Sequence, residues 1–324
     1  MKTARGLKIN PSLIKSFLSQ QANVKNIGII GVGNMGNGMV TNLCKHFPGQ
    51  VSAFDVMADN LVRAEEAGAF AEKSVAELAS KCGTIITMLP KGDHVCGVMR
   101  GSEGILANAA PGTLLIDAST IDPLTSKELS SDALEAGMSM VDAPVSGGVN
   151  GAAGGTLTFM VGGTDDDIER ATPFLMAMGK NVTHCGGAGT GSTTKLCNNL
   201  ALAIQMIGTS EALTLGESLG ADPAVLSAVM NTSTARCWSS DTYNPVPGVM
   251  EGVPSSNDYK GGFASALMEK DLGLAMAAGE GKAYTPLGSY AHEMYGRLLE
   301  EGFSDSDFSV VYKYLKGRNA GMSK

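Results

Sequence analysis

Ile27-Gly28-Ile29-Ile30-Gly31-Val32-Gly33-Asn34-Met35-Gly36 is an apolar run that breaks into a cluster of glycines and then continues as a helical pattern toward Leu43. The run from Val24 to Ile30 has the length and apolar content of a buried strand, so the glycines sit at a strand-to-helix turn. In that context each glycine has a purpose. Gly31 permits the tight turn, Gly33 lets the backbone approach a pyrophosphate, and Gly36 lets helix and strand pack closely, with the helix N-terminus facing the phosphates. Val32, Asn34 and Met35 lie between them as backbone contacts. Asp55 follows the next strand at the separation expected of a carboxylate that accepts from the adenosine ribose hydroxyls and repels a 2′-phosphate, which favours NAD over NADP. A strand-terminal aspartate that merely caps the next helix is the other reading of Asp55. Arg63 comes too late to clamp a 2′-phosphate.

The pattern repeats outward from this unit. Val51 to Phe54, Thr84 to Leu89, Thr113 to Ile116, Ser139 to Asp142, Thr156 to Val161 and Asn181 to His184 read as strands, separated by helical stretches such as Leu61 to Ala67 and Asp165 to Met178. Such alternation predicts an α/β, Rossmann-type domain with a doubly wound, mainly parallel sheet. After Gly187 the strand signals stop. Residues 190–220, 222–231, 266–279, 284–299 and 307–316 read as helices, so an all-helical C-terminal domain is expected to follow. The division predicted is 1–24 as an extension, 25–188 as the dinucleotide-binding domain and 189–324 as the helical domain. Trp238 to Gly262 is rich in Pro, Gly, Ser and Asn, a loop long enough to suggest a role.

Composition narrows the function. The 324 residues carry 32 acidic and 24 basic side chains for a net charge of -8, with no basic stripe to track a phosphate backbone, which argues against nucleic acid as a partner. No run approaches the roughly eighteen apolar residues of a membrane span. Cys44, Cys82, Cys96, Cys185, Cys197 and Cys237 are scattered, and His46, His94, His184 and His292 show no ligand spacing, so reduced thiols and a chemistry without metal are expected. Lys2, Arg5, Lys8, Lys15 and Lys25 precede the first carboxylate, Asp55. With Leu13, Ile14, Phe17 and Leu18 on one face, the first 24 residues read either as a mitochondrial presequence or as an ordinary disordered terminus.

Further candidates lie at strand ends, where ligands meet such sheets. Met88-Leu89-Pro90 could offer backbone to the adenosine side. Within Asp117-Ala118-Ser119-Thr120-Ile121-Asp122-Pro123 the hydroxyls could reach the nicotinamide or cap a helix that starts at Pro123, and both can hold together. Asp142-Ala143-Pro144-Val145-Ser146-Gly147-Gly148-Val149-Asn150-Gly151 reads as a glycine-rich turn, either an anion-binding concavity suited to a compact carboxylate or a hairpin without a ligand. Lys195 and Asn199 stand four apart at the start of a long, largely apolar helix and share its face. A buried amine there can exchange a proton near neutrality, whereas a lysine that snorkels to solvent would do nothing.

The glycine turn of Gly31 to Gly36, the Asp142 to Gly151 segment, Gly189 to Asn199 and Lys270-Asp271-Leu272-Gly273-Leu274-Ala275 occur in the order of the β-hydroxyacid dehydrogenase family, which the chain resembles over residues 26–316. The stretches Arg236 to Met250 and Gly261-Gly262-Phe263 to Leu267 carry the likeness closest to a particular substrate. The resemblance implies oxidation of (S)-3-hydroxyisobutyrate to methylmalonate semialdehyde in mitochondrial valine catabolism, with NAD as cofactor. It implies Lys195 as the catalytic lysine, Asn199 as the substrate-orienting asparagine, and Ser146, Gly147 and Gly148 as the carboxylate-binding turn. Leu89, Pro90, His94, Thr120 and Lys270 match cofactor-contacting positions. It also implies a homo-oligomer, dimer or tetramer, built through the helical half. Two alternatives stay open: a short-chain semialdehyde reductase acting on tartronate or succinic semialdehyde, and a silent dinucleotide-binding scaffold.

Overall fold

The computed structural model describes residues 26–322, so the basic amino-terminal stretch read as a presequence or disordered extension lies outside the described residues. The chain divides into two compact units, the first ending at Lys195 and the second beginning at Leu196.

The first unit is built on nine strands: β1 Asn26–Ile30, β2 Gln50–Phe54, β3 Phe70–Ala71, β4 Thr84–Thr87, β5 Leu114–Asp117, β6 Ser139–Asp142, β7 Val145–Ser146, β8 Leu157–Gly162 and β9 Gly179–Gly186. Their order is β3-β2-β1-β4-β5-β6-β8-β7, with β9 pairing β8. From β3 to β6 every pairing is parallel, which is the doubly wound order with its switch between β1 and β4. Beyond β6 the sheet changes character. Asp142 pairs Gly162, Val145 pairs Phe159 and Ser146 pairs Thr158 in one antiparallel register, so β6 and β7 act as a single strand interrupted at Ala143-Pro144.

Between the strands run α1 Asn34–His46, α2 Ala58–Glu66, α3 Val75–Lys81, α4 Gly92–Met99, α5 Ile105–Asn108, α6 Pro123–Glu135, α7 Gly148–Ala153 and α8 Asp165–Met178. Both faces of the sheet are covered. Ile27, Ile29, Leu114 and Ile116 join one apolar cluster with Met39, Leu43 and Phe174, while Ile30, Ile85 and Leu115 join another with Leu78, Val95, Met99 and Leu129. Alternate side chains of a strand point to opposite faces, so strands covered on both sides read as continuous apolar runs.

The differences from expectation have local causes. The fourth strand ends at Thr87 rather than Leu89, because the Leu89 N–H donates to Ser119 Oγ at 2.9 Å instead of to the sheet. The glycine-rich turn after Pro144 holds β7 and then α7, since Gly147 and Gly148 take φ values of 136° and 61° that reverse the chain into a helix. Asp122 accepts from Thr125 N with Pro123 at the first helical position, so the capping reading of that segment holds for α6.

α9, Thr190–Ser218, spans 29 residues and runs from the first unit into the second, which also contains α10 Pro223–Thr232, α11 Trp238–Asp241, α12 Ser265–Gly279, α13 Pro286–Glu300 and α14 Val311–Met322. Its core gathers Ala203, Met206, Met268, Leu272, Tyr295, Leu298 and Phe308. The Trp238 to Gly262 segment is held by polar anchors rather than by regular pairing. Buried Asn244 donates to Ser227 Oγ and Ser240 O at 3.1 and 3.2 Å, and Asp307, fully buried, accepts from Tyr243 OH at 2.9 Å and Phe263 N at 2.8 Å. Tyr243 in turn stacks on Trp238 with ring centroids 4.6 Å apart.

Candidate active site

The carboxyl ends of β1, β2, β4, β5 and β6 all open on one edge of the parallel sheet, and the topology places there Gly31 to Gly36, Asp55, Leu89, Pro90, Thr120 and Ser146 to Gly148. At β1 the three glycines differ in what a side chain would meet. Gly31 has φ 89°, and a β-carbon there would strike Met88 O; a β-carbon on Gly36 would strike Gly31 O. On Gly33 it would come no closer to the protein than 3.9 Å, at Asn60 Nδ2. Two glycines are therefore demanded by the fold, and one leaves space beside the loop. No side chain caps the N-terminus of α1 and its first turn holds no acidic residue, so the N–H groups of that turn and the positive end of the helix dipole are left for an anion. This cradle fits the pyrophosphate of a dinucleotide. Asp55 is half-buried at the end of β2, with Oδ2 accepting from Val32 N and Oδ1 from Met57 N, both at 2.8 Å. It thus ties the glycine turn to the start of α2.

At β4 and β5 a second polar set fixes two loops to each other. Asp117 Oδ1 accepts from Thr87 Oγ1 at 2.8 Å and Ser119 N at 3.1 Å, and Ser119 Oγ receives the Leu89 N–H. Asp117 Oδ2 is buried with no hydrogen-bond partner among the described residues. Burial pushes this carboxyl up to about 6, against the opposing hydrogen bonds. The folded state therefore favours its protonated form. The associated stability is full below pH 3.8, the ordinary value, and is lost as pH rises through about 6. The loss amounts to at most about 3 kcal/mol. Asp117→Asn cannot ionise, so thermal denaturation at pH 5 and pH 7.5 should show wild type losing several degrees more than the variant; parallel losses would contradict the assignment.

At β6 a third set involves Asp142, a residue sequence reasoning placed in the motif without a role of its own. Its Oδ1 accepts from Gly189 N and its Oδ2 from Ser192 N, each at 2.7 Å. Burial pushes this carboxyl up and the two backbone donors pull it down. Downstream, Ser146 is half-buried and the β-carbon position of Gly148 faces open space. α7, which begins at Gly148, is clamped to α1: Asn42 Nδ2 donates to Ala152 O at 2.7 Å and Ala153 O at 3.2 Å, and Gly38 packs where a β-carbon would lie 2.6 Å from the Ala152 carbonyl carbon. The turn and the glycine loop are thereby held on one rigid pair of helices.

Lys195 lies in the second turn of α9 and is 7% exposed. Asn199 follows four residues later on the same helix and is buried. Its Nδ2 donates to Asp271 Oδ2 at 2.6 Å. A carboxylate only accepts, so this bond fixes which way the amide points. Lys270 Nζ stands 3.1 Å from Asp271 Oδ1, so Asp271 organises two residues singled out from the sequence although it was not itself singled out. His94 is exposed on the first turn of α4, and Thr120 is half-buried after β5.

Comparison with known proteins agrees with this architecture. The profile for the NAD binding domain of 6-phosphogluconate dehydrogenase matches residues 26–187, and the profile described as NAD-binding of NADP-dependent 3-hydroxyisobutyrate dehydrogenase matches residues 189–315. Mitochondrial 3-hydroxyisobutyrate dehydrogenase of Mus musculus is 51% identical over 292 residues, covering 90% of this chain and 87% of that protein. NAD-dependent L-serine dehydrogenase of Pseudomonas aeruginosa is 46% identical, covering 90% of this chain and 97% of that one. The structure of Mycobacterium tuberculosis 3-hydroxyisobutyrate dehydrogenase with L-serine superposes with a TM-score of 0.85 at 41% identity, covering 90% of this chain and 99% of the other. The chain belongs to the 3-hydroxyisobutyrate dehydrogenase-like β-hydroxyacid dehydrogenases and is an NAD-dependent oxidoreductase of that family.

Proposed function

We propose that this enzyme oxidises (S)-3-hydroxyisobutyrate to methylmalonate semialdehyde, with Lys195 as its general acid/base. The observation that carries the reading is a buried amine on a helix whose first turn is seated on the strand leading into the Ser146 to Gly148 turn. Bound NAD supplies the hydride acceptor, which leaves proton, orientation and field to the protein. Lys195 takes the hydroxyl proton and stabilises alkoxide character as the carbonyl forms. Ser146 and the backbone N–H groups of Gly147 and Gly148 receive the substrate carboxylate, and Asn199, oriented by Asp271, holds the hydroxyl or carboxylate. Gly31 to Gly36, Asp55, Leu89, Pro90, His94, Thr120 and Lys270 serve the cofactor. The two domains on this reading are residues 25–188 and 189–324. The names of the relatives support placement in the mitochondrial matrix and in valine catabolism, and the apolar helical half supports a homo-oligomer of two or four chains.

L-serine is the second reading, favoured by the Pseudomonas relative and by the serine-bearing mycobacterial structure. Both compounds are 3-hydroxy acids that differ at C2, where one has a methyl group and the other an ammonium. Steady-state NADH formation by the purified full chain, with each acid and with NAD or NADP, decides. The expected result is a kcat/KM for (S)-3-hydroxyisobutyrate at least about tenfold above that for L-serine, with NAD preferred. A preference for serine would reassign the substrate, and no NADH with any short hydroxy acid would favour the scaffold.

A further inference from the structure

We infer that Asp142 is the positioning residue for Lys195: its buried carboxylate seats the first turn of α9 and so sets where the amine is presented. This rests on the acid/base role proposed for Lys195. A helix N-terminus leaves N–H groups without intrahelical partners, and the usual remedy is a side chain immediately before the helix. Here the acceptor comes from the end of β6, 47 residues before Gly189 and 50 before Ser192, and each of its oxygens takes one N–H at 2.7 Å. The cap is therefore a tether between the sheet and the helix, beyond simple stabilisation of a helix end.

The surroundings leave the tether little play. β-Carbons on Gly162 and Gly191 would both collide with the Asp142 carboxylate, so the strand beside it and the helix above it close directly on its oxygens. Ser192 Oγ adds a second link to Ser126 Oγ at 2.8 Å, on the neighbouring α6. Lys195 lies three residues past Ser192, roughly 4.5 Å along the axis and nearly one full turn, so any shift or rotation of the first turn passes to the amine almost undamped. Downstream of Asp142 the same chain continues through Pro144 into the Ser146 to Gly148 turn, and across the sheet Asp142 is the register partner of Asp117. One residue thus references the lysine helix and the anion turn to a common strand end.

The test is a double-mutant cycle on the full chain, read as the single-turnover rate of NADH formation with NAD affinity measured alongside. Asp142→Asn keeps the shape but turns one acceptor into a donor facing an N–H. It should slow the wild-type rate about 100-fold, the scale of a 1 Å misplacement, and leave NAD affinity within about threefold. In a Lys195→Ala background the same change should cost less than about twofold, because no amine remains to be positioned. Equal losses in both backgrounds, or no loss in either, would reduce Asp142 to a structural cap and overturn the inference. Should Asp142→Asn fail to fold, Gly191→Ala, whose β-carbon would strike Met160 O and meet Asp142 O at 2.7 Å and Asp142 Oδ2 at 2.9 Å and so shifts the helix start away from the end of β6, runs the same cycle. A near-normal rate in Lys195→Ala alone would overturn the lysine role and this inference together, whereas a slow Lys195→Ala with additive losses overturns the Asp142 role only.

Discussion

Lys195→Ala will lower the rate of NADH formation about 10²- to 10⁴-fold while NAD affinity stays within about threefold. The split follows from what the amine does. In the proposed role its partner is the substrate hydroxyl, and the proposed cofactor groups lie elsewhere on the sheet edge, chiefly the glycine turn and the uncapped start of α1. A lysine placed only to cover apolar surface would, on truncation, reduce stability and leave the chemical step close to wild type. Stopped-flow NADH formation at saturating NAD separates the two, since it reads chemistry before product release. A fall in NAD affinity matching the fall in rate would point instead to a binding role.

Gly33→Val will leave the thermal midpoint within about two degrees of wild type and weaken NAD by more than about 100-fold. The fold itself does not need a glycine here, because φ is -64° and a β-carbon would meet no protein atom closer than 3.9 Å. In the proposed cofactor placement that space receives the pyrophosphate, and a branched side chain would fill it. Gly36→Ala supplies the contrast, since its methyl is driven into Gly31 O and destabilises the turn with or without cofactor. Isothermal titration of NAD together with thermal denaturation reads both halves. Unchanged NAD affinity in Gly33→Val would show that the dinucleotide does not cross the glycine turn.

The parts of this molecule that sequence revealed are those governed by local rules. Alternating apolar runs and helical spacing are written into consecutive residues, so the parallel sheet around Ile27 to Ile30 and the helix bearing Lys195 could be read directly. The glycine turn was legible because its three positions have distinct steric demands at fixed spacing. The tethers were not legible. Asn42 reaches Ala152 across 110 residues, Asp142 reaches Ser192 across 50, and Asn199 reaches Asp271 across 72. No periodicity encodes such bonds, and a strand-end aspartate looks the same whether it caps its own loop or a helix from another part of the chain. The turn after Pro144 was missed as a helix for a related reason. Gly148, Val149, Asn150 and Gly151 are poor helix formers and only Ala152 and Ala153 favour the turn, so α7 depends on the surface that Gly38 and Asn42 of α1 give it to close on. The Trp238 to Gly262 segment likewise gains its order from distant bonds: buried Asn244 donates to Ser227 Oγ, 17 residues earlier, and buried Asp307 accepts from Tyr243 and Phe263, 64 and 44 residues earlier.

Amine rescue of Lys195→Ala tests the central claim most directly. With NAD and (S)-3-hydroxyisobutyrate present, added ethylamine should restore NADH formation in proportion to its free-base concentration, and the recovered rate should rise with pH as that amine deprotonates. No recovery at any amine concentration, or an unrescued rate already near wild type, would contradict a proton-transfer role for the side chain at position 195.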